Sequence, residues 1–231
     1  MLSILCGLAE EARTVINRTA DAQVLCGSKA AANLDIVVAR GCSAILSCGI
    51  AGALHPNLVV GDVVIANSLI EPNGNKFVVD TGWCRELFNT LRGVPRISIG
   101  AFFSDGSVIQ TAEDRIHLFE KFDVFAVDQE SIAAARFAKA NNIPFAIVRT
   151  ISDTGLDAIP TWALQATDEY GVSSLPMTLQ TLSQHLDQTF DLINLASNFG
   201  KSVDALRTVC RLLGPTFGRV ALELPKGSSV R

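Results

Sequence analysis

The chain has 231 residues, of which 48% are hydrophobic and 18% charged, and its formal net charge is −4. This length fits a single α/β domain, and the high apolar content predicts a large buried core and excludes disorder over most of the chain. The small acidic net charge argues against the clustered Lys and Arg that nucleic-acid binding requires, so any nucleotide-like ligand is expected to be a small molecule.

The first segment, LSILCGLA, is typical of a strand and lacks the basic start and cleavage site of a signal peptide, which predicts a cytoplasmic protein. The longest stretch without charged residues, 41–61, is interrupted by Gly49, Gly52 and Pro56, so a strand with a Gly-rich turn explains it better than a transmembrane segment. Six cysteines without a CxxC pair predict small buried thiols in a reducing compartment, and neither they nor the scattered histidines predict a metal site.

Apolar strands alternate with helical segments over the first two thirds of the chain. The predicted strands are 2–8, 23–26, 44–49, 59–70, 96–104, 124–128 and 144–152, and the predicted helices are 28–40, 83–92, 112–121 and 129–141. This alternation predicts an α/β fold, a three-layer α/β/α sandwich with a central mixed sheet and with ligands at the carboxyl ends of strands.

From about residue 161 the pattern becomes helical. Apolar residues repeat there at three- and four-residue steps, namely Leu186, Phe190, Ile193, Phe199, Val203, Leu206, Cys210 and Leu213. The sequence therefore predicts one domain over residues 1–231, with a catalytic α/β core at about 1–155 and a helical C-terminal extension at about 161–214.

Acidic residues stand where two predicted strands end. Asp128 closes the strand VFAVD, Glu130 stands two residues later where a helix opens, and Asp153 closes the strand FAIVRTISD. Each has an ordinary structural explanation, helix capping for the first two and an Asx-type turn for the third. Two acid-bearing strand ends joined by one helix are nevertheless expected to be neighbours in the sheet and to converge on one ligand.

The strings VDQESIAAA and VRTISD resemble the pattern of the nucleoside phosphorylase and nucleosidase superfamily. GLAEEAR, CGSKAAAN, SCGIAGAL, VVGDVVIA and SDGSV occur in the family's order over residues 1 to about 155. Within the family, the S-x-G-I-A-G-x-L loop, the E-S after the acidic turn and the string RLLG at 211–214 most resemble hopanoid-associated phosphorylases. The resemblance implies a nucleoside phosphorylase-like fold and cleavage of the bond between a purine and a sugar.

The resemblance also implies roles for individual residues. Asp153 would protonate or hydrogen-bond N7 of the base, if an apolar strand end raises its pKa, and Glu130 would accept hydrogen bonds from the 2′- and 3′-hydroxyls of ribose. Ser107, Val108 and Gln129 would join Glu130 in binding the substrate, although Val108 is equally explained as a packing residue.

The nucleophile distinguishes hydrolysis from phosphorolysis. Hydrolytic relatives carry a water-orienting Glu in the first loop where this chain has Ala12, a departure that favours phosphorolysis. Phosphate would then be bound by Gly7, Arg13 and Gly49 with backbone amides near a helix start, because Ser47 and Ile50 stand where many phosphorylases have Arg and Ser. Arg13 is also explained as a residue of a solvated helix face.

The expectation from the sequence is a homo-oligomeric phosphorylase that releases adenine from a 5′-substituted nucleoside, such as a lipid-linked adenosyl-hopane in hopanoid biosynthesis. Inorganic phosphate is the expected co-substrate, and no cofactor or metal is expected. One alternative is a hydrolytic nucleosidase of the methylthioadenosine, S-adenosylhomocysteine or futalosine type. A second alternative is a nucleoside-binding protein without catalytic activity.

Overall fold

The computed structural model describes residues 1–19, 21–38, 41–109, 111–155, 168–172 and 189–219, with side chains from residue 194 onward in the last range. Eight strands and seven helices lie within these residues. The strands are β1 (Leu2–Cys6), β2 (Ala22–Cys26), β3 (Ala44–Ala53), β4 (Val63–Ile70), β5 (Lys76–Val78), β6 (Ile97–Phe103), β7 (Val124–Val127) and β8 (Phe145–Asp153). The helices are α1 (Ala9–Ile16), α2 (Gly27–Ala32), α3 (Leu34–Val37), α4 (Thr81–Leu91), α5 (Ala112–Phe122), α6 (Ser131–Asn141) and α7 (Thr189–Leu213).

All eight strands belong to one mixed sheet. Strands β2, β1, β3 and β8 lie side by side in parallel, and β4, β6 and β7 form a second parallel group. Antiparallel pairs of β4 with β8 and of β3 with β7 join the two groups, so that β3, β8, β4, β6 and β7 close into a ring. A mixed central sheet with surrounding helices and a C-terminal helix confirms the predicted fold class.

The length of β3 makes the ring possible. Its ten residues pair with β8 along most of their length, and Gly52 and Ala53 at its end also pair with β7. The register of β3 with β8 shifts between Ala51 and Gly52, close to the point where the pairing of β3 with β8 ends and its pairing with β7 begins. The site described below lies along this part of β3.

Several predicted boundaries were wrong, and turn chemistry explains them. The strand predicted at 59–70 begins at Val63, because Gly61 has a positive φ of 91° and the Asp62 carboxylate accepts a turn hydrogen bond from the Val59 amide. The helix predicted at 28–40 is split at Asn33, whose side-chain amide donates back to the Lys29 carbonyl.

Helix α1 and strand β5 were not predicted as elements. The first predicted strand ends at Cys6 instead of residue 8, because the chain turns at Gly7 and enters α1. Strand β5 follows the short turn Pro72–Asn75, in which Gly74 adopts a φ of 81°, and its three residues give too short a pattern to recognise.

Helix α7 is part of the core. Val203, Leu206, Cys210 and Leu213 are buried, as their spacing predicts, while Leu186 and the side chains of Phe190 and Ile193 lie outside the described part of the chain. Thr150 of β8 fixes the helix, since its hydroxyl donates to the buried Ser202 carbonyl at 2.9 Å. Among the helices of the described residues, none combines the length and apolarity that would let it span a membrane.

Candidate active site

The strands that carry the predicted acids, β7 and β8, were expected to be neighbours in the sheet, which is wrong, because β3 lies between them. The acids nevertheless converge along one wall of the ring, formed by residues 47–52 of β3. Gly49 lies opposite Arg149 of β8 in the sheet register, and Gly52 pairs with both Asp153 and Val127. The loop after β1 and the turn before α6 supply the remaining groups. The wall therefore has one charged cluster around Arg149 and a second around Asp153.

Arg149 is at the centre of the first cluster and is 1% exposed. Its Nη2 donates to Ser47 Oγ at 2.6 Å and lies 3.4 Å from Glu130 Oε2, while its Nε lies 3.3 Å from Asp128 Oδ2. Burial opposes the charge, but Asp128 and Glu130 outweigh burial and raise the pKa of Arg149. The guanidinium is thus a permanent buried cation that anchors several carboxylates.

Glu130 lies at the N-cap position of α6 but makes no capping hydrogen bond with its side chain. Asp128 does the capping instead, accepting from the Ser131 amide at 2.8 Å and from the Ser131 hydroxyl at 2.5 Å. The capping explanation therefore fits Asp128 and leaves the Glu130 carboxylate available for a ligand.

Burial is the main cause that raises the pKa of Glu130 to about 7. The positive charge of Arg149 lowers this pKa, and the negative charges of Asp128 and Glu11 raise it further, so that Arg149 does not cancel the effect of burial. The carboxyl group consequently changes charge near neutral pH. A group with this property at the edge of a buried cluster is a candidate for ligand binding.

Glu11 is a member of the cluster that the sequence analysis missed. Its side chain turns back from α1 into the wall, where Oε2 accepts from the amides of Gly7 and Leu8 at 2.8 and 3.0 Å and Oε1 accepts from the Ile50 amide at 2.9 Å. Burial raises the pKa of Glu11, while Arg149 and the three amide donors act in the opposite direction. The residue is 1% exposed.

Two glycines make room for these carboxylates. A Cβ atom at Gly7 would lie 2.7 Å from Glu130 Oε1, and one at Gly49 would lie 2.5 Å from Glu11 Oε2 and 2.7 Å from Arg149 Nη1. Any side chain at either position would displace the charged groups. Gly7 and Gly49, predicted to bind phosphate, are thus in the cluster, but carboxylates occupy the space beside them.

Asp153 forms the second cluster with Arg115 of α5, which is also 1% exposed. The two side chains form an ion pair, the Ser152 hydroxyl donates to Asp153 Oδ1 at 2.6 Å, and Arg115 Nη1 donates to the Thr154 carbonyl at 2.8 Å. A guanidinium thus contacts the Asp153 carboxylate at the strand end, and the role of Asp153 at N7 of the base stays a prediction.

The other predicted site residues lie outside these two clusters. Ser107 is exposed in a turn in which its amide and hydroxyl both donate to Asp105, Val108 is half-buried, and Gln129 is exposed. Arg13 has 70% of its side chain exposed, pairs with Glu10 at 3.2 Å, and lines a groove of about 390 Å³ between α1 and α7. The roles of these residues stay predictions.

Residues 4–171 match the family model of the phosphorylase superfamily. Among curated proteins, the chain is 27% identical to the 5′-methylthioadenosine/S-adenosylhomocysteine nucleosidase of Desulfotalea psychrophila over 47% of this chain and 54% of that protein. It is 24% identical to the nucleosidase of the same name from Staphylococcus epidermidis over 47% and 56% of the two chains. The chain spans about half the length of the curated relatives it matches.

Solved structures share the fold over nearly the whole chain. The 5′-methylthioadenosine/S-adenosylhomocysteine nucleosidase of Neisseria meningitidis, in complex with methylthio-immucillin-A, superposes with a TM-score of 0.66 at 15% identity and covers 92% of this chain and 97% of its own. Futalosine hydrolase of Helicobacter pylori superposes with a TM-score of 0.63 at 14% identity and covers 91% and 97%.

These relatives correct the function expected from the sequence. The expectation of phosphorolysis of an adenosyl-hopane, with its classification as a transferase of hopanoid biosynthesis, is wrong, because the relatives are nucleosidases or a hydrolase, which are hydrolytic enzymes. The departure at Ala12 therefore does not indicate phosphorolysis, and the neighbouring Glu11 places a carboxylate in the cluster. A lipid-linked substrate and a homo-oligomeric state stay predictions.

Proposed function

The chain belongs to the phosphorylase superfamily, and from that premise we propose that it is a nucleosidase. It hydrolyses the bond between a purine base and the sugar of a 5′-substituted nucleoside, and adenine is the base that we propose. The substrates we propose are of the methylthioadenosine, S-adenosylhomocysteine or futalosine type, by analogy with the names of the relatives.

The observation that carries this proposal is the position of Glu11. Hydrolysis needs a group that orients water, and a carboxylate oxygen with an unused lone pair can do so. Glu11 Oε1 accepts only the Ile50 amide among the described contacts, at 2.9 Å, so it has room for one further donor. The negative charge beside Arg149 would hold a water molecule against the sugar carbon.

The two clusters suit the two halves of a nucleoside. Gly49 beside Glu11 and Gly52 beside Asp153 are three residues apart on one strand, roughly 10 Å at 3.3 Å per residue. In the proposed complex, Glu130 accepts hydrogen bonds from the ribose hydroxyls and Asp153 hydrogen-bonds N7 of the purine. Water oriented by Glu11 adds its oxygen to C1′ of the sugar as the bond to N9 breaks. The Glu11 carboxylate takes a proton from that water, and the base leaves with a proton that Asp153 gives to N7.

The test is product analysis with a panel of 5′-substituted adenosines and futalosine, with and without inorganic phosphate. We expect equal rates of base release in both buffers and a free sugar as the second product. Arg13→Ala serves as a control, because its exposed side chain lies in the groove beside α7, and its rate should equal that of the wild type.

Two other results would redirect the assignment. Base release that requires phosphate and yields a sugar 1-phosphate would contradict the proposal. Tight binding of the nucleosides without base release in either buffer would indicate the alternative of a nucleoside-binding protein.

A further inference from the structure

Residues 168–172 form a tight turn, here called the Asp168 turn, whose shape depends on one side chain. Asp168 Oδ1 accepts from the amides of Tyr170 and Val172, each at 2.9 Å. The Asp168 backbone closes the same turn, since its amide donates to the Val172 carbonyl at 3.1 Å and its carbonyl accepts from the Gly171 amide at 3.0 Å. A carboxylate that accepts amides further along its own chain holds the chain folded back on itself. Gly171 is buried, whereas the other four residues are exposed.

The Asp168 turn caps two helices from outside. The N-cap residue of α1 is Leu8, which has no side-chain oxygen for the first amides of the helix. The Ala9 amide instead donates to the Gly171 carbonyl at 2.8 Å. In α2 the Lys29 amide donates to the Glu169 carbonyl at 3.0 Å, and the Lys29 ammonium pairs with the Glu169 carboxylate at 2.7 Å. The turn is therefore fixed to the starts of both helices.

Gly171 brings the Asp168 turn against the β1 loop, which consists of Gly7 and Leu8. A Cβ atom at Gly171 would lie 2.4 Å from the Gly7 carbonyl oxygen and 3.1 Å from Leu8 Cα. The Gly7 amide donates to Glu11 Oε2 at 2.8 Å, and a Cβ at Gly7 would lie 2.7 Å from Glu130 Oε1. The β1 loop thus contacts the Asp168 turn with its carbonyl and borders both carboxylates of the site.

We propose that the Asp168 turn positions the β1 loop for catalysis, with Asp168 as a positioning residue that does not touch the substrate. This inference rests on the proposed function, in which Glu11 orients water and Glu130 binds the ribose. Without the Asp168 carboxylate, the Gly171 carbonyl is no longer held at the start of α1. The β1 loop then shifts relative to the two carboxylates, and a displacement of about 1 Å in a catalytic site can cost about 10²-fold in rate.

Asp168→Ala and Asp168→Asn test this role by nucleoside hydrolysis, with rates expressed per folded protein. We expect kcat to fall at least about tenfold in the Ala variant, because the β1 loop is misplaced. The Asn variant keeps an Oδ1 acceptor for both amides, so its kcat should stay within about twofold of the wild type. Equal rates in the Ala variant and the wild type would overturn the proposal.

Amide hydrogen exchange, followed by NMR without nucleoside, tests the hold of the turn on the loop directly. The Ala9 amide bonds to the turn, whereas the Leu8 amide bonds to Glu11 at 3.0 Å and reports on the loop itself. In Asp168→Ala both amides should exchange at least about tenfold faster than in the wild type. Unchanged exchange at Leu8 would overturn the proposal, because the turn would then cap α1 without holding the loop.

The exchange result separates this inference from the proposed function. A wild type that hydrolyses no nucleoside would contradict the proposed function, whereas the exchange rates depend only on the turn and the loop. They are measured in the full chain in its folded state.

Two glycines with similar backbone conformations give a second, matched pair of variants. Gly171 and Gly74 have φ angles of 77° and 81°, so an Ala at either position has comparable backbone strain. A Cβ at Gly74 would meet no atom of the described residues within 4 Å, whereas one at Gly171 would collide with the Gly7 carbonyl. Gly171→Ala should therefore lower kcat and speed exchange at Leu8, and Gly74→Ala should do neither.

This pair also decides the proposal if Asp168→Ala does not fold. Urea unfolding of the two glycine variants shows whether their stabilities are matched. Equal turnover and equal Leu8 exchange in the two variants would overturn the proposal, because the contact of Gly171 with the β1 loop would then have no effect on the site.

Discussion

Arg115 of α5 and Asp153 at the end of β8 form an ion pair in which each side chain is at most 9% exposed. Two buried opposite charges depend on each other, because neither is solvated by water once its partner is removed. The pair also links α5 to the strand end that carries the proposed base-binding carboxylate. Removing Arg115 should therefore affect both stability and the site.

Arg115→Met should lower the free energy of unfolding by about 3–5 kcal/mol, because it leaves the Asp153 charge buried without a partner. Changing both residues, as Arg115→Met with Asp153→Asn, should recover part of that loss. Urea unfolding of the two single variants and the double variant measures the coupling. The exposed Arg13→Ala, which breaks only the pair with Glu10, should cost at most about 1 kcal/mol. Additive losses in the double variant would contradict a mutually dependent pair.

Asp153→Asn should lower stability, because it leaves the buried Arg115 charge without its partner. In the folded variant, turnover should fall about 10²–10⁴-fold, because an amide cannot give an acidic proton to the base. Initial rates of adenine release measure the effect. Asp80→Asn is the control, as it makes the same chemical change at the other end of β8, where the Asp80 amide donates to the Phe145 carbonyl. Near-normal turnover in Asp153→Asn would remove Asp153 from the mechanism.

The sequence predicted the parts of the site that depend on strand ends. Glu130 and Asp153 were singled out as acids at the ends of apolar strands, and their roles came from the resemblance. They converge because β7 and β8, which run antiparallel to each other, both end at Gly52 of β3. Gly49 was named only through the resemblance, as a phosphate-binding residue, and that role stays a prediction. The sequence could not predict that Asp128 and not Glu130 caps α6. Both acids precede Ser131, and the backbone conformation of the turn decides which carboxylate reaches the Ser131 amide.

Glu11 and Arg115 show why the remaining residues were missed. In GLAEEAR two adjacent Glu residues look equivalent, and only the start of α1 at Ala9 decides that Glu11 faces the wall and Glu10 the solvent. Arg115 lies in a polar helix, and only the packing of α5 against the end of β8 buries it. Arg149 did give a signal, as a single charge inside the apolar strand FAIVRTISD, but it was not assigned a role.

Glu130→Gln should weaken binding of ribosides far more than binding of 2′,3′-dideoxy analogues, because the ionised carboxylate is the acceptor proposed for the two hydroxyls. Competition by unreactive nucleoside analogues, compared between wild type and variant, gives the two ratios. Glu10→Gln, at the surface beside Arg207, should change neither. Equal losses for both kinds of analogue would show that Glu130 supports the structure without contacting the sugar.

Glu130 should also make stability fall as pH rises toward neutrality. Its pKa is raised to about 7 in the folded chain from a usual 4.5, so between these values the folded state holds a proton that the unfolded state has lost. The free energy of unfolding therefore decreases over this range, by up to about 3 kcal/mol at 1.36 kcal/mol per pKa unit, and stays constant with respect to Glu130 above it. Burial of the neighbouring Glu11 acts in the same direction.

Urea unfolding of wild type and Glu130→Gln between pH 4 and 8 isolates the contribution of Glu130, since the variant keeps the other ionisable groups. The variant should gain stability relative to the wild type as pH rises through the range, and the difference should level off above about pH 7. A difference that is independent of pH, or that favours the wild type increasingly at high pH, would show that Arg149 holds Glu130 ionised throughout. In that case Glu130 would be ionised at every pH in this range, and the binding of riboside hydroxyls to it would not change with pH near neutrality.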